Sequence, residues 1–226
     1  MSSNYSYGKV TASNGVVLYF MKGSPRNISL AEINSNITAS SNPDYGINGG
    51  FFYNEDLLSI AVDSDLPVKG TIGGYGSGWF NTKYDRGTLV WDNYSSAYSV
   101  QVVGSATDIT VSNRNDYWAQ GGISMSLNND AGWETQASLE GMPNRTGLTM
   151  RTGLVYNSGL NIWMVVTKNL CTAAQFRTAI KEKIGSGTLI NGIFLDGSGS
   201  SQMKCSEISL SGDGRMVRQI IKWTNK

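Results

Sequence analysis

Apolar positions in this chain gather in short runs separated by clusters of Gly, Ser, Asn and Asp, which is the pattern of strands and turns. Residues 16–21 read as a first strand, closed by Gly23-Ser24-Pro25, while residues 28–37 carry apolar side chains too irregularly to assign. Residues 87–91, 98–103 and 118–127 are further strands, each ending at turn residues. Residues 151–156 and 160–166, joined by Asn157-Ser158-Gly159, make a hairpin. Only one segment keeps a helical period. Ala173, Phe176, Ala179, Ile180 and Ile184 recur every three or four positions behind Thr172 as cap, and Gly185 ends the run. The branched and aromatic run 189–195 then reads as a strand buried on both faces, and residues 215–223 alternate like an edge strand. The expected fold class is α+β: a single β-rich domain over residues 1–226, with a mixed sheet and at least one packed helix in a C-terminal β-α-β unit.

That unit places one carboxylate at the end of its second strand, where ligand sites of α/β units gather. The residue is Asp196, followed by Gly197-Ser198-Gly199-Ser200-Ser201. Such a loop can converge backbone N–H groups and hydroxyls on an anion or a polyhydroxylated ligand. A plain turn, with the Asp bonding its own backbone, is the alternative. A second stretch of similar chemistry, Ile47-Asn48-Gly49-Gly50-Phe51-Phe52, sets a donor–acceptor amide beside two glycines, which mark close backbone approach to a ligand or to another strand. The glycine-dense run 69–80 reads as a loop or a hairpin connection.

Composition narrows the chemistry. The 226 residues include no histidine, which removes Ser-His-Asp and Cys-His catalysis and every His-containing zinc site. Two cysteines, Cys171 and Cys205, neither build a four-thiolate metal site nor amount to a disulfide framework; they either pair or stay buried as thiols. A net charge of +1 argues against duplex nucleic acid as a partner. No run approaches the length of a membrane span, and the start, MSSNYSYGKV, has no apolar core of an export signal. On that ground a cytoplasmic or virion-associated protein is expected before a secreted one.

Three separated motifs taken together resemble the phosphodiester glycosidase family: Ile47 to Phe52, then Arg151-Thr152-Gly153-Leu154 opening the hairpin, then Ile193-Phe194-Leu195-Asp196-Gly197-Ser198-Gly199-Ser200-Ser201. Trp118-Ala119-Gln120-Gly121-Gly122-Ile123 is similar to that family's central glycine-containing strand, more weakly. The family pattern is richer in glycine after the aspartate, and Ser198 stands here in place of one glycine. The resemblance implies hydrolysis of a sugar-1-phosphodiester between the anomeric carbon and the phosphate oxygen; the residues themselves, which show no cluster of carboxylates, give the expectation of no cofactor. Asp196 and Arg151 would then be catalytic, and Asn48, Gly49, Gly50, Gly199 and Ser200 would bind substrate. The chemistry is consistent with these residue types, since phosphate is already a good leaving group and the larger needs are a carboxylate near the anomeric carbon and a cation on the phosphate.

Several alternatives stay open. Arg145, in Asn144-Arg145-Thr146-Gly147-Leu148, mimics the Arg151 motif. A second carboxylate, if the mechanism uses a pair, could be Glu55, Asp56, Asp63, Asp65 or Glu134, and Lys168 is a possible phosphate ligand. No metal is expected, although Asp196 with loop carbonyls could take calcium. A non-catalytic glycan- or sugar-phosphate-binding protein on the same fold is the alternative function. Oligomeric state is not legible.

Overall fold

The computed structural model describes residues 4–34 and 36–224; Met1 to Ser3, the first residues of the segment read for an export signal, lie outside them. Six strands form the largest sheet: β1 (Tyr5–Thr11), β2 (Val17–Gly23), β12 (Ile123–Ser124), β13 (Thr152–Asn157), β14 (Ile162–Thr167) and β15 (Leu189–Phe194), in the order β1-β2-β14-β13-β15-β12. A second sheet runs β10-β9-β11-β7-β8, with β7 (Ala61–Asp63), β8 (Leu66–Pro67), β9 (Arg86–Asp92), β10 (Ala97–Val103) and β11 (Tyr117–Gly121). The third runs β17-β16-β4-β18-β3, with β3 (Ile28–Glu32), β4 (Gly46–Asn48), β16 (Met203–Lys204), β17 (Ser209–Leu210) and β18 (Gln219–Trp223). A small ribbon pairs β5 (Phe52–Tyr53) with β6 (Asp56–Leu57).

Every ladder between these strands is antiparallel, which corrects the expected α+β class with a mixed sheet: the fold is mostly β, and helix packing is a minor part of it. The reason lies in which edges are free. After β14 the chain passes through helix α2 (Ala173–Lys183), but the outer edge of β14 is already paired with β2. The returning strand β15 therefore adds to the far side of β13. It points the same way as β14, as a crossover requires, yet its hydrogen-bonded neighbour is antiparallel. The tail strand is corrected too. β18 lies between β3 and β4 and is central, its residues nearly all buried.

The hairpin strands are buried on both faces, and their side chains divide accordingly. Leu154, Tyr156, Met164, Val166 and Ile193 join a core shared with Ile47, Leu89, Trp91, Met203 and Ile221 of the other two large sheets. Val155, Trp163, Val165 and Phe194 face the helices, against Phe176, Ala179 and Ile180 of α2 and Trp133 of α1 (Trp133–Leu139). β15 departs from the expected full burial in its first half, where Ile190 is exposed. Helix α2 starts as its sequence predicts: the Thr172 hydroxyl accepts from the Gln175 N–H at 3.1 Å, and the Gln175 side chain accepts from the Thr172 N–H at 2.9 Å. Helix α1 had no comparable signal. It follows Gly132 without a side-chain cap and buries only Trp133 and Ala137.

Candidate functional site

The β13–β15 register fixes where the site is. Gly153 pairs with Phe194, and the ladder continues through the Leu195 N–H donating to the Thr152 carbonyl at 2.9 Å. Continuing the register one residue further sets Arg151 opposite Asp196. Both side chains line a cavity of about 140 Å³, whose apolar wall includes Phe51, Met142 and Phe194 and whose polar wall adds Thr149, Ser198 and Arg215. Asp196 is its only carboxylate among the described residues. Burial pushes that carboxyl up to about 6, against the opposing pull of the Ser200 hydroxyl, the Arg215 charge and the Gly197 N–H. The Ser200 Oγ is itself fully buried. It stands close enough to the carboxyl to favour its charged form, but completes no hydrogen bond of normal geometry among the described residues.

Arg151 is 4% exposed. Its Nε donates to the Cys171 carbonyl at 3.2 Å, and its Nη2 donates to the carbonyls of Asn144 and Gly147 at 2.7 and 2.8 Å. These bonds tie the 142–149 loop, one wall of the cavity, to the sheet. No carboxylate among the described residues pairs with this guanidinium, and Nη1 has no partner among them. Burial lowers its pKa, with the neighbouring Cys171 opposing. A buried guanidinium without a counter-ion is costly to hold and leaves a positive field at the cavity wall.

Asn48 does not reach the cavity. It is 1% exposed and saturated: Nδ2 donates to the carbonyls of Asp196 and Gly49 at 2.8 and 3.2 Å, while Oδ1 accepts from the Thr152 hydroxyl and the Gln202 N–H at 3.0 and 3.1 Å. One amide thus joins β4, β13 and both ends of the Asp196 loop. Gly49 and Gly50 also lie behind the cavity. A side chain at Gly49 would overlap Gln219, and one at Gly50 would overlap Ser59. Their close approach is to protein, and it delivers Phe51 to the cavity wall. Gly199 is pressed against Asp213 in the same way.

Ser198 has φ 55°, a conformation natural to glycine. Its N–H donates to the Met150 carbonyl at 2.8 Å, and its hydroxyl accepts from Thr149 at 2.8 Å.

The other candidate residues lie elsewhere. Arg145 pairs with Glu134, Glu55 with Arg218, and Asp65 with Arg114 and Tyr117. Asp56 packs at Gly76, and Lys168 lines a separate small hollow of about 80 Å³. Asp63 faces a larger groove of about 280 Å³ with Arg26, Trp91, Asn93 and Asp116. Size does not make that groove the better site, because its polar groups bond one another: Arg26 donates to Asn93 and Ser96, and Asn93 donates to Asp116. Both cysteines are buried free thiols. Among the described residues no group of three or more Cys, Asp or Glu side chains is placed to hold a metal ion, and no helix is long and apolar enough to cross a membrane.

Sequence reasoning missed Arg215, Thr149 and the cavity wall of Phe51 and Met142. The run Ser211-Gly212-Asp213-Gly214-Arg215 repeats the Asp-Gly step of the first loop, which is the signal that could have found Arg215.

In fold, the chain is similar to the zebrafish N-acetylglucosamine-1-phosphodiester alpha-N-acetylglucosaminidase catalytic domain auto-inhibited by its pro-peptide, with a TM-score of 0.69 over 100% of this chain and 83% of that one, at 14% sequence identity. A hypothetical protein from Synechocystis aligns with a TM-score of 0.48 at 12% identity, over 96% of this chain and 61% of its own. At such identities the likeness is one of fold alone. No protein-family model and no curated protein matches the chain in sequence.

Proposed function

We propose that this protein is a hydrolase that cleaves a sugar-1-phosphodiester between the anomeric carbon and the phosphate oxygen. The observation that carries the reading is the presence, in one small cavity, of a carboxyl pushed up to about 6 and a buried guanidinium with no carboxylate partner among the described residues. A fold shared with a catalytic domain named for an N-acetylglucosamine-1-phosphodiester supports it.

In this reading the ligand's phosphate lies toward Nη1 of Arg151 and the sugar lies over Asp196. Ionised Asp196 takes a proton from water as the water oxygen bonds to the anomeric carbon. The bond from that carbon to the phosphate oxygen breaks, and its electron pair stays on the oxygen, where Arg151 meets the charge. Asn48, Gly49, Gly50 and Gly199 act from behind, by fixing the loop that carries the acid. Ser200 stands beside the carboxyl and can favour its charged form. The apolar wall of Phe51, Met142 and Phe194 keeps bulk solvent from the carboxyl, whose pKa burial holds high, and leaves room for the one attacking water.

The test is release of free reducing sugar from a sugar-1-phosphodiester, wild type against Asp196→Asn. A fall of about a hundredfold or more in kcat with the fold intact is expected. Unchanged turnover would remove Asp196 from the chemistry.

A further inference from the structure

The cavity holds a second guanidinium of a different kind. Residues 211–215 form a turn in which the Gly214 N–H donates to the Ser211 carbonyl at 2.8 Å, with Gly212 and Gly214 at φ 59° and 85°. This turn interlocks with the loop after Asp196. The Asp213 N–H donates to the Gly199 carbonyl at 3.2 Å. A side chain at Gly199 would overlap the Asp213 carboxylate, and one at Gly212 would overlap the Gly199 carbonyl. The two loops fit together only because both positions lack a Cβ.

The interlock aims Arg215. The Asp213 carboxylate accepts from the Arg215 backbone N–H at 3.0 Å, from Nε at 3.1 Å and from Nη2 at 2.7 Å. The Arg215 carbonyl accepts from Nε2 of Gln202 at 2.7 Å, and Gln202 is fully buried, its Oε1 taken by the Ala39 N–H at 2.7 Å. The root of the residue is therefore fixed in the protein. Its guanidinium stands at the cavity with the side chain 46% exposed. Its Nη1 makes no hydrogen bond among the described residues. Arg151 is committed through Nε and Nη2 to the carbonyls of Cys171, Asn144, Gly147 and, at 3.5 Å, Arg145, whereas Arg215, clamped by Asp213 through Nε and Nη2, presents its Nη1 at the exposed mouth of the cavity.

We infer that Arg215 is a specificity-determining residue that takes the anionic group of the ligand at the cavity mouth, and that Asp213 is its positioning residue. This rests on the proposal that the cavity receives a phosphorylated sugar. The phosphodiester of such a ligand has two non-bridging oxygens, one for Nη1 of Arg151 and one for Arg215. A neutral glycoside offers no charge to either, so the pair selects anionic over neutral ligands.

The experiment is calorimetric titration of the full chain with inorganic phosphate at one fixed salt concentration, with methyl α-glucoside as the neutral comparison. Thermal unfolding of each variant is followed in parallel. Arg215→Gln is expected to weaken phosphate binding about tenfold or more, the worth of one charge-assisted contact, while leaving glucoside binding and the melting temperature in place. Asp213→Asn is expected to weaken phosphate binding by a few-fold with Arg215 intact, and Asp213→Glu to restore part of it. A merely structural Asp213 would lower melting without that rescue. If wild type binds phosphate and Arg215→Gln binds it equally well, the inference is overturned while the Asp196 reading stands. If wild type binds no phosphate, both fall.

Discussion

Arg151 and Asp196 stand opposite each other just beyond the β13–β15 ladder, two residues past the Gly153–Phe194 pair. A carboxylate and a guanidinium at such positions would ordinarily form an ion pair, yet neither is the other's partner. Arg151 is held by carbonyls, and the Asp196 carboxyl is raised by burial. The two groups line one cavity without forming an ion pair among the described residues.

The pH dependence follows from that raised carboxyl. As general base Asp196 must be ionised, so kcat/KM is expected to rise with pH along an acid limb with its midpoint near 6, and to flatten above it. A pH–rate profile checks this. A midpoint near 4 would mean that the acid doing the work is an ordinary solvated one.

Stability carries the same signature. The folded-state pKa lies above the unfolded value of about 4, so the folded protein binds this proton more tightly, and the stability it contributes is complete below pH 4 and lost as pH rises through 6. Asp196→Asn removes the group that must ionise. It is expected to melt higher than wild type at pH 7.5, by an amount corresponding to about 1–3 kcal/mol, and to lose that advantage at pH 4. Melting curves at the two pH values decide it.

Arg151→Gln is expected to damage the fold as well as any activity. The carbonyls of Asn144, Gly147 and Cys171 lose their donor, and the loop forming one cavity wall comes loose. A cost of about 2–4 kcal/mol is expected, a drop in Tm of roughly 5–15 °C for a chain of this size. Arg215→Gln, in contrast, should melt like wild type.

Ser198 tests the loop itself. Its left-handed φ of 55° costs a side-chain-bearing residue about 1 kcal/mol, roughly what its bond from Thr149 returns. Ser198→Gly is therefore expected to shift Tm by no more than a few degrees. Ser198→Val puts a branched side chain into the same conformation and loses the hydroxyl, so it should lower Tm markedly. Differential scanning of the two variants separates conformation from hydrogen bonding.

Much of the architecture was legible in sequence because its elements announce themselves locally. The hairpin of β13 and β14 alternates between two cores, although its turn runs from Ser158 to Asn161, with Leu160 at φ 57°, rather than over Asn157-Ser158-Gly159; α2 carries a full capping box. What could not be read was pairing. Nothing in residues 189–195 says that β2 has already taken the edge of β14, so the β-α-β reading gave a parallel neighbour where β13 stands. The tail shows the same limit: Gln219 to Trp223 alternates like an edge strand but is covered on both sides by β3 and β4. In the site, Gly49 and Gly50 read as points of close approach, but local sequence does not say to what: Gly49 meets Gln219 and Gly50 meets Ser59. The loop after Asp196 reads as a turn of flexible glycines, yet its one left-handed residue is Ser198, and Gly199 is packed against Asp213. Arg215 escaped notice for a related reason, because only the interlocked loops bring it beside Asp196.

If this cavity breaks the bond between an anomeric carbon and a phosphate oxygen, heavy-oxygen water reports on that bond directly. Hydrolysis of a sugar-1-phosphodiester in labelled water should place the label in the sugar hydroxyl and none in the phosphate, at a rate that collapses in Asp196→Asn. Label recovered in the phosphate would instead show attack at phosphorus, with the bond to the anomeric carbon left intact.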